Sequence, residues 1–249
     1  MINIKVDIDT RGLAQFMQFS ERRLNAAVAT ALTRTAVEAR KSWQQELRTK
    51  LDRPTPYTTN SVRVESANAN KLEAVVAIKD QGADGTVLPA EYLGTQQRGG
   101  TRNLRKFERA LVNKGAMLPG YRVVLARYAL VDGYGNVTRG QIVQVLNQLG
   151  AGLSEGYRQV ISRSATKRAA SARRSGRQYV AFPRDDGNIF AGIWQRKGRA
   201  LLPVFQFVRT TMYRSRIDLY QRARDVVGQQ LQAQFDRAMR ESAARLAAK

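Results

Sequence analysis

The chain has 249 residues, 43% of them hydrophobic, enough for a core in one large domain or two small ones. It has no cysteine and no histidine, which removes disulfides, thiolate zinc sites, imidazole acid–base chemistry and Ser–His or Cys–His nucleophiles. The formal charge is +22, and Arg outnumbers Lys 32 to 10, a bias toward bidentate contact with phosphate or carboxylate. A polyanion is then the first partner to weigh, against the plainer reading of a basic surface that meets solvent or an acidic protein.

Ile2, Ile4, Val6 and Ile8 alternate with polar residues as in a half-buried strand, where a signal peptide would need an unbroken apolar run. No 18-residue apolar run follows, so a soluble protein made in a cytoplasm, with no membrane partner, is expected. From Leu13 to Leu51 the period becomes helical: Leu24, Val28, Leu32, Thr35, Ala39, Trp43, Leu47 and Leu51 share one face, and Arg23, Arg34, Glu38, Arg40, Lys41 and Glu46 lie mostly off it. Asp52-Arg53-Pro54-Thr55-Pro56 ends that helix. Val62, Val64 and then Leu72 to Lys79 form a hairpin joined through Asn68-Ala69-Asn70.

The Gly and Asp cluster at 80–85 marks a boundary. Beyond it come a short helix around Asn103 to Asn113, a turn at Asp132-Gly133 and Gly135-Asn136, and a helix through Gln141, Ile142, Val145, Leu146 and Leu149. Short helices with extended connections suggest an inserted subdomain over 81–177. Its basic segment, with Arg163, Lys167, Arg168, Arg173, Arg174 and Arg177 among Ser, Ala and Gly, reads as a mobile loop or a frayed helix.

Tyr179 to Phe182, Ile189 to Trp194 and Leu201 to Val208 make a three-strand meander, separated by turns at 184–187 and 196–199. A long terminal helix follows, with Tyr220, Ala223, Val227, Leu231, Phe235, Met239 and Ser242 in one thin stripe. So narrow a stripe is expected to lie across a sheet or against a neighbouring subunit. The expected fold is α+β: a small mixed or antiparallel sheet packed with two long amphipathic helices. Its core is split between 1–80 and 178–249, around a mostly helical and irregular insertion. These three segments carry 13 basic and 9 acidic, 16 and 5, and 13 and 6 residues, so half the positive excess falls in the insertion.

No phosphate-binding GxxxxGK[ST] loop is present, and "GYGNVTRG" lacks both its spacing and its lysine. Carboxylates that could hold magnesium are Asp80, Asp84 and Glu91, or Asp132, or Asp185 with Asp186. They fall in or near glycine-containing turns, with Asp84, Asp132 and Asp186 directly before glycine, where Asp closes turns through local hydrogen bonds, and the turn reading is preferred. No residue is expected to be catalytic, and no metal or cofactor is expected. Phe182, Phe190, Trp194, Phe205 and Phe207 could stack bases, but beside Ile, Val and Leu on short strands they read as core. Tyr92-Leu93-Gly94-Thr95 reads as a tight turn rather than a subunit contact. The basic segment from Arg163 to Arg177 is either a DNA- or partner-facing contact without sequence readout or a solvated loop.

Three stretches, "NAAVATALTRTAVEARKSWQQEL", "EYLGTQQRGG" and "GIWQRKGRALLPVFQFVRTT" leading into a terminal helix, are similar to segments of phage tail-completion and neck proteins. The chain resembles the minor tail protein Z family over about 60% of its length, departing in its long middle section. The resemblance implies a structural virion component of the neck or tail, made in the host cytoplasm. It would form a homo-oligomeric ring, sixfold by resemblance, that meets tail-tube or tail-terminator and head-connector proteins and lets DNA pass. The stripe Tyr220, Val227, Leu231, Phe235 and Met239 would then serve assembly or sheet packing. The alternative is a sequence-independent nucleic-acid-binding protein acting outside any particle.

Overall fold

The structure, a computed structural model, describes residues 21–82, 87–151, 162, 164–209 and 212–248. The strand expected over 2–8, the start of the first helix, and the positions of Asp84 and Arg163 lie outside the described residues. In chain order the elements are α1 (Glu21–Lys50), α2 (Pro56–Thr59), β1 (Val62–Glu65), β2 (Val75–Ile78), α3 (Pro89–Arg98), α4 (Lys106–Asn113), β3 (Tyr121–Leu125), α5 (Arg139–Leu149), α6 (Ala165–Ser175), β4 (Gln178–Phe182), β5 (Gly192–Lys197), β6 (Ala200–Arg209) and α7 (Leu219–Ala247). The fold is α+β with two antiparallel sheets. The chain divides into two compact units: residues 1–98 with 215–249, and residues 99–214.

In the first unit α1 and α7 pack on each other. Ala27 and Ala31 meet Phe235, Ala238 and Met239, while Trp43 and Leu47 share a cluster with Leu219 and Ala223, so the helices run antiparallel. Arg34 grips both oxygens of Glu241 at 3.1 and 2.8 Å, and the buried Glu46 accepts from Arg222 Nε at 3.0 Å. Hydrogen bonds from Arg34 and Arg237 hold the Glu241 carboxyl down at about 2.

Two expectations change here. The α7 stripe packs on α1 of the same chain rather than across a sheet: Leu231, Phe235 and Met239 are buried in this helix pair, with Tyr220 and Val227 half-buried at its margin. On α1 the seam is centred on Ala27, Ala31, Thr35, Ala39, Trp43 and Leu47, while Leu24, Val28 and Leu32 flank it half-buried. Small side chains let two helix backbones approach closely, so the alanines take the centre. Glu46, expected off the apolar face, is drawn in by its ion pair.

The α1 helix ends as expected before Pro54; Arg53 there holds φ 44, the one non-glycine positive φ among the described residues. Hairpin β1–β2 pairs Val62 with Ile78, and Asn68 Oδ1 accepts from the Asn70 and Lys71 amides. The stretch Tyr92 to Thr95, expected as a tight turn, is inside α3. Pro89 opens that helix and Glu91 sits in its first turn, both favourable to helix initiation. Leu93 is fully buried as a result, and the Tyr92 hydroxyl meets that of Thr58 at 3.0 Å.

The second unit is built on a four-stranded antiparallel sheet in the order β3-β6-β5-β4. The meander expected to join residues 1–80 is therefore completed by Tyr121–Leu125, from the middle of the chain. The reason is register: Val123 pairs with Phe207 and Leu125 with Phe205, placing the apolar members of both strands over one core with Phe107, Leu111, Leu146 and Ile193. The split core over 1–80 and 178–249 thus divides: α7 stays with α1, while the expected insertion from residue 99 onward folds with the meander. Strand β5 begins at Gly192 rather than Ile189. A Cβ at Gly192 would sit 2.2 Å from the Phe205 carbonyl oxygen, a separation only glycine allows.

Side chains cover both sheet edges. At β3 the Val123 amide donates to Glu108 Oε1 at 2.8 Å and its carbonyl accepts from Arg102 at 3.2 Å. At β4 Gln148 accepts from the Tyr179 amide at 2.8 Å and donates to the Arg177 carbonyl at 2.7 Å. Glu108 also takes two bonds from the Arg102 guanidinium, at 2.7 and 2.5 Å, and one from the Arg105 amide at 2.7 Å. Burial alone would raise its pKa, but these donors together hold the carboxyl below its usual value.

Candidate nucleic-acid interface

The segment expected as a mobile loop or a frayed helix is, over Ala165–Ser175, helix α6. Ser164 caps its first turn by accepting from the Lys167 amide at 3.3 Å, and Gly176 closes it in the left-handed conformation, φ 65. At about 100° per residue, the half-buried Arg168, Ser171, Ala172 and Ser175 share one face, against α5. Small Ser and Ala side chains let this helix lie close without burying any residue fully. Arg173 and Arg174, in the last turn, are favourably placed against the negative end of the helix dipole.

The expected basic residues therefore separate. Arg168 turns inward, donating to the Ser162 carbonyl at 2.9 Å and lying against Gly150. Lys167, Arg173 and Arg174 are exposed on α6, and Arg177, half-buried, follows the glycine.

Strand register then brings in residues that sequence reading left as a turn or passed over. Gln178 is paired with Arg196, so the α6–β4 junction lies beside the β5–β6 hairpin with its exposed Arg196, Lys197 and Arg199. On the other side of β6, the Ala126 and Tyr128 amides continue the ladder by donating to Val204 and Pro203, each at 3.0 Å. This carries Arg127 and Tyr128 to the same end of the sheet, with the Arg127 guanidinium 5.9 Å from the Tyr128 ring centroid. One end of the sheet thus bears Arg127, Arg173, Arg174, Arg177, Arg196, Lys197 and Arg199, across four strands spanning roughly 15 Å at ~4.8 Å each. None of these seven forms an ion pair with a described residue. The sequence offers no acid from 165 to 184 or from 187 to 217. Such a rim can neutralise successive phosphates; it has no element shaped to read bases.

The candidate carboxylates are held locally. Asp132 Oδ1 accepts from the Tyr134 and Asn136 amides, Asp186 Oδ1 from Asn188 and Ile189, and Asp185 Oδ1 from Ala191; Asp80 is paired with Arg63 at 3.1 Å. Among the described residues no three His, Cys, Asp or Glu converge as a metal site. Phe205 and Phe207 lie in the core as expected. Phe190 and Trp194 pack on each other with rings tilted at 42° and centroids 4.5 Å apart, the indole donating to the Phe190 carbonyl at 3.2 Å. No helix among the described residues is long and apolar enough to cross a membrane.

No family model, no curated protein and no solved structure matches this chain.

Proposed function

We propose that the chain is a structural component of a phage neck or tail, acting in tail completion or head-to-tail joining as a ring through which DNA passes. The observation that carries this reading is the uncompensated basic end of the four-stranded sheet, suited to sequence-independent contact with a phosphate backbone. The resemblance supplies the setting. Its three stretches fall on α1, on α3 with the turn after it, and on β5–β6, in the expected order before a long terminal helix. The α1–α7 seam is occupied within the chain, so subunit contacts in such a ring use other surfaces. Electron microscopy and mass measurement of the chain mixed with tail-tube and connector proteins test the proposal. Closed rings seated at the neck are expected; a monodisperse monomer that binds neither protein would overturn it.

The same basic surface favours a second reading, a nucleic-acid-binding protein working outside the particle. Labelling of purified particles separates the two, because a protein with that role is missing from them.

A further inference from the structure

Nine large hydrophobic side chains are exposed among the described residues, and four fall within seven positions: Tyr128 at 40%, Leu130 at 37%, Val131 at 50% and Tyr134 at 43%. The segment that carries them is an ordered finger. The Thr138 amide donates to the Leu130 carbonyl at 2.8 Å, Val131 bridges Val137, and the Asp132 amide donates to the Asn136 carbonyl at 2.8 Å. Asp132 Oδ1 locks the tip by accepting from the Tyr134 and Asn136 amides, each at 2.9 Å, and Gly135 takes the positive φ of 77 that the turn requires. The base is anchored by the fully buried Gln141, whose Oε1 accepts from the Leu130 amide at 2.7 Å, and by Thr138 capping α5. Apolar groups held so rigidly in water cost little entropy when they are buried against a partner.

We infer that residues 128–138 form a docking finger for a second protein, whose receiving surface is an apolar recess rimmed by carboxylates. The charge sets the chemistry of the rim. Exposed Arg127 and Arg139 flank the finger, and between Glu108 and Glu155 the one carboxylate in the sequence is Asp132, turned to its own backbone. A second copy of this chain is a poor occupant: the unit that bears the finger has 21 basic residues against 5 acidic, and like charges repel. Nucleic acid fits less well, because Leu130 and Val131, between Tyr128 and Tyr134, are aliphatic and break any continuous stacking surface. The inference does not depend on the virion reading and can hold if that reading fails.

Three probes test it on the full chain by fluorescence anisotropy: an 18-residue amphipathic peptide with a Leu and Phe face and Glu elsewhere, the same peptide with Lys for Glu, and a 20-base-pair duplex. The wild type should bind the acidic peptide and not the basic one, keeping part of that affinity at 0.5 M NaCl. The double variant Val131→Ser with Tyr134→Ser should bind the acidic peptide about tenfold more weakly, the loss expected for two partly buried apolar groups. Tyr134→Phe alone should restore most of it, and duplex affinity should be unchanged. Equal acidic-peptide affinity in wild type and double variant would overturn the inference. So would a loss of duplex binding in that variant, which would make the finger a nucleic-acid surface. Wild-type self-association abolished by the same change would instead make a second copy the occupant, and would equally overturn it.

Discussion

The two units hold equal numbers of basic residues, 21 each, but 15 acidic residues belong to the first and 5 to the second. In the first unit seven basic side chains pair with acids among the described residues: Arg34 and Arg237 with Glu241, Arg222 with Glu46, Arg63 with Asp80 and Glu65, Lys41 with Glu38, Lys71 with Glu73 and Arg53 with Asp52. In the second, Arg102 with Glu108 is the one ion pair between described residues, and it is buried. In one unit part of the positive charge fastens helices together and about three acids stand for every four basic residues, while in the other most of it remains available to a ligand. Composition alone would score the two as equally rich in Arg and Lys.

The units can be followed separately, because each holds one tryptophan: Trp43 in the first and Trp194 in the second. The largest effect is expected from Glu108→Ala. It leaves Arg102 without its partner and uncaps the β3 edge, costing about 3–5 kcal/mol. Urea unfolding followed through Trp194 in a Trp43→Phe background should show this, with the Trp43 transition unmoved. Acid should act in the same direction. A carboxyl whose folded pKa is depressed contributes stability above its usual 4.5 and loses it as pH falls through the lower folded value. The Trp194 transition should therefore weaken below about pH 4.5 in wild type and lose that component in Glu108→Gln.

Phe235→Ala should reverse the pattern. It opens the α1–α7 seam, cost about 3–4 kcal/mol, and moves the Trp43 transition alone. Gly192→Ala should be smaller, about 1–3 kcal/mol, because the Phe205 carbonyl must shift to admit a methyl group, and it should register through Trp194. The smallest expected effect is a gain. Gly228 lies exposed within α7 with nothing near its Cβ position, so Gly228→Ala should stabilise the first unit by about 0.5–1 kcal/mol.

Elements with a strong local signal were legible before the structure. The two long helices, the β1–β2 hairpin with its Asn68 turn, α5 and the strands of the meander follow from periodicity and turn residues. What the sequence hid was set by pairing at a distance. That Tyr121–Leu125 completes the sheet depends on which strand can share a core with Phe205 and Phe207, and no local pattern states it. Helix α6 was obscured because its packing face is Ser and Ala rather than large apolar residues. The candidate interface was visible in part: Lys167, Arg173, Arg174 and Arg177 stood out as a charge run. Arg196, Lys197 and Arg199 read as a turn until the Gln178–Arg196 register joined them to it. Arg127 had no signal beyond its charge. The buried Glu108 could have been suspected from its place in the first turn of a helix, where a Glu reaches back to the preceding amide.

The claim that a polyanion binds at the basic end of the second unit's sheet, rather than wherever exposed cations occur, is tested most directly by the salt dependence of duplex DNA binding. Two full-chain variants are compared with wild type, each with six cations changed to Gln: Arg173, Arg174, Arg177, Arg196, Lys197 and Arg199 in one, and the exposed Arg22, Arg23, Arg48, Lys50, Arg240 and Arg245 in the other. Each phosphate contact contributes roughly 0.9 to the slope of log affinity against log salt. The first variant should lose at least three such contacts, a slope smaller by about 3 or more, while the second stays near wild type. Equal losses in both variants would contradict it, because net charge rather than the end of the sheet would then govern binding.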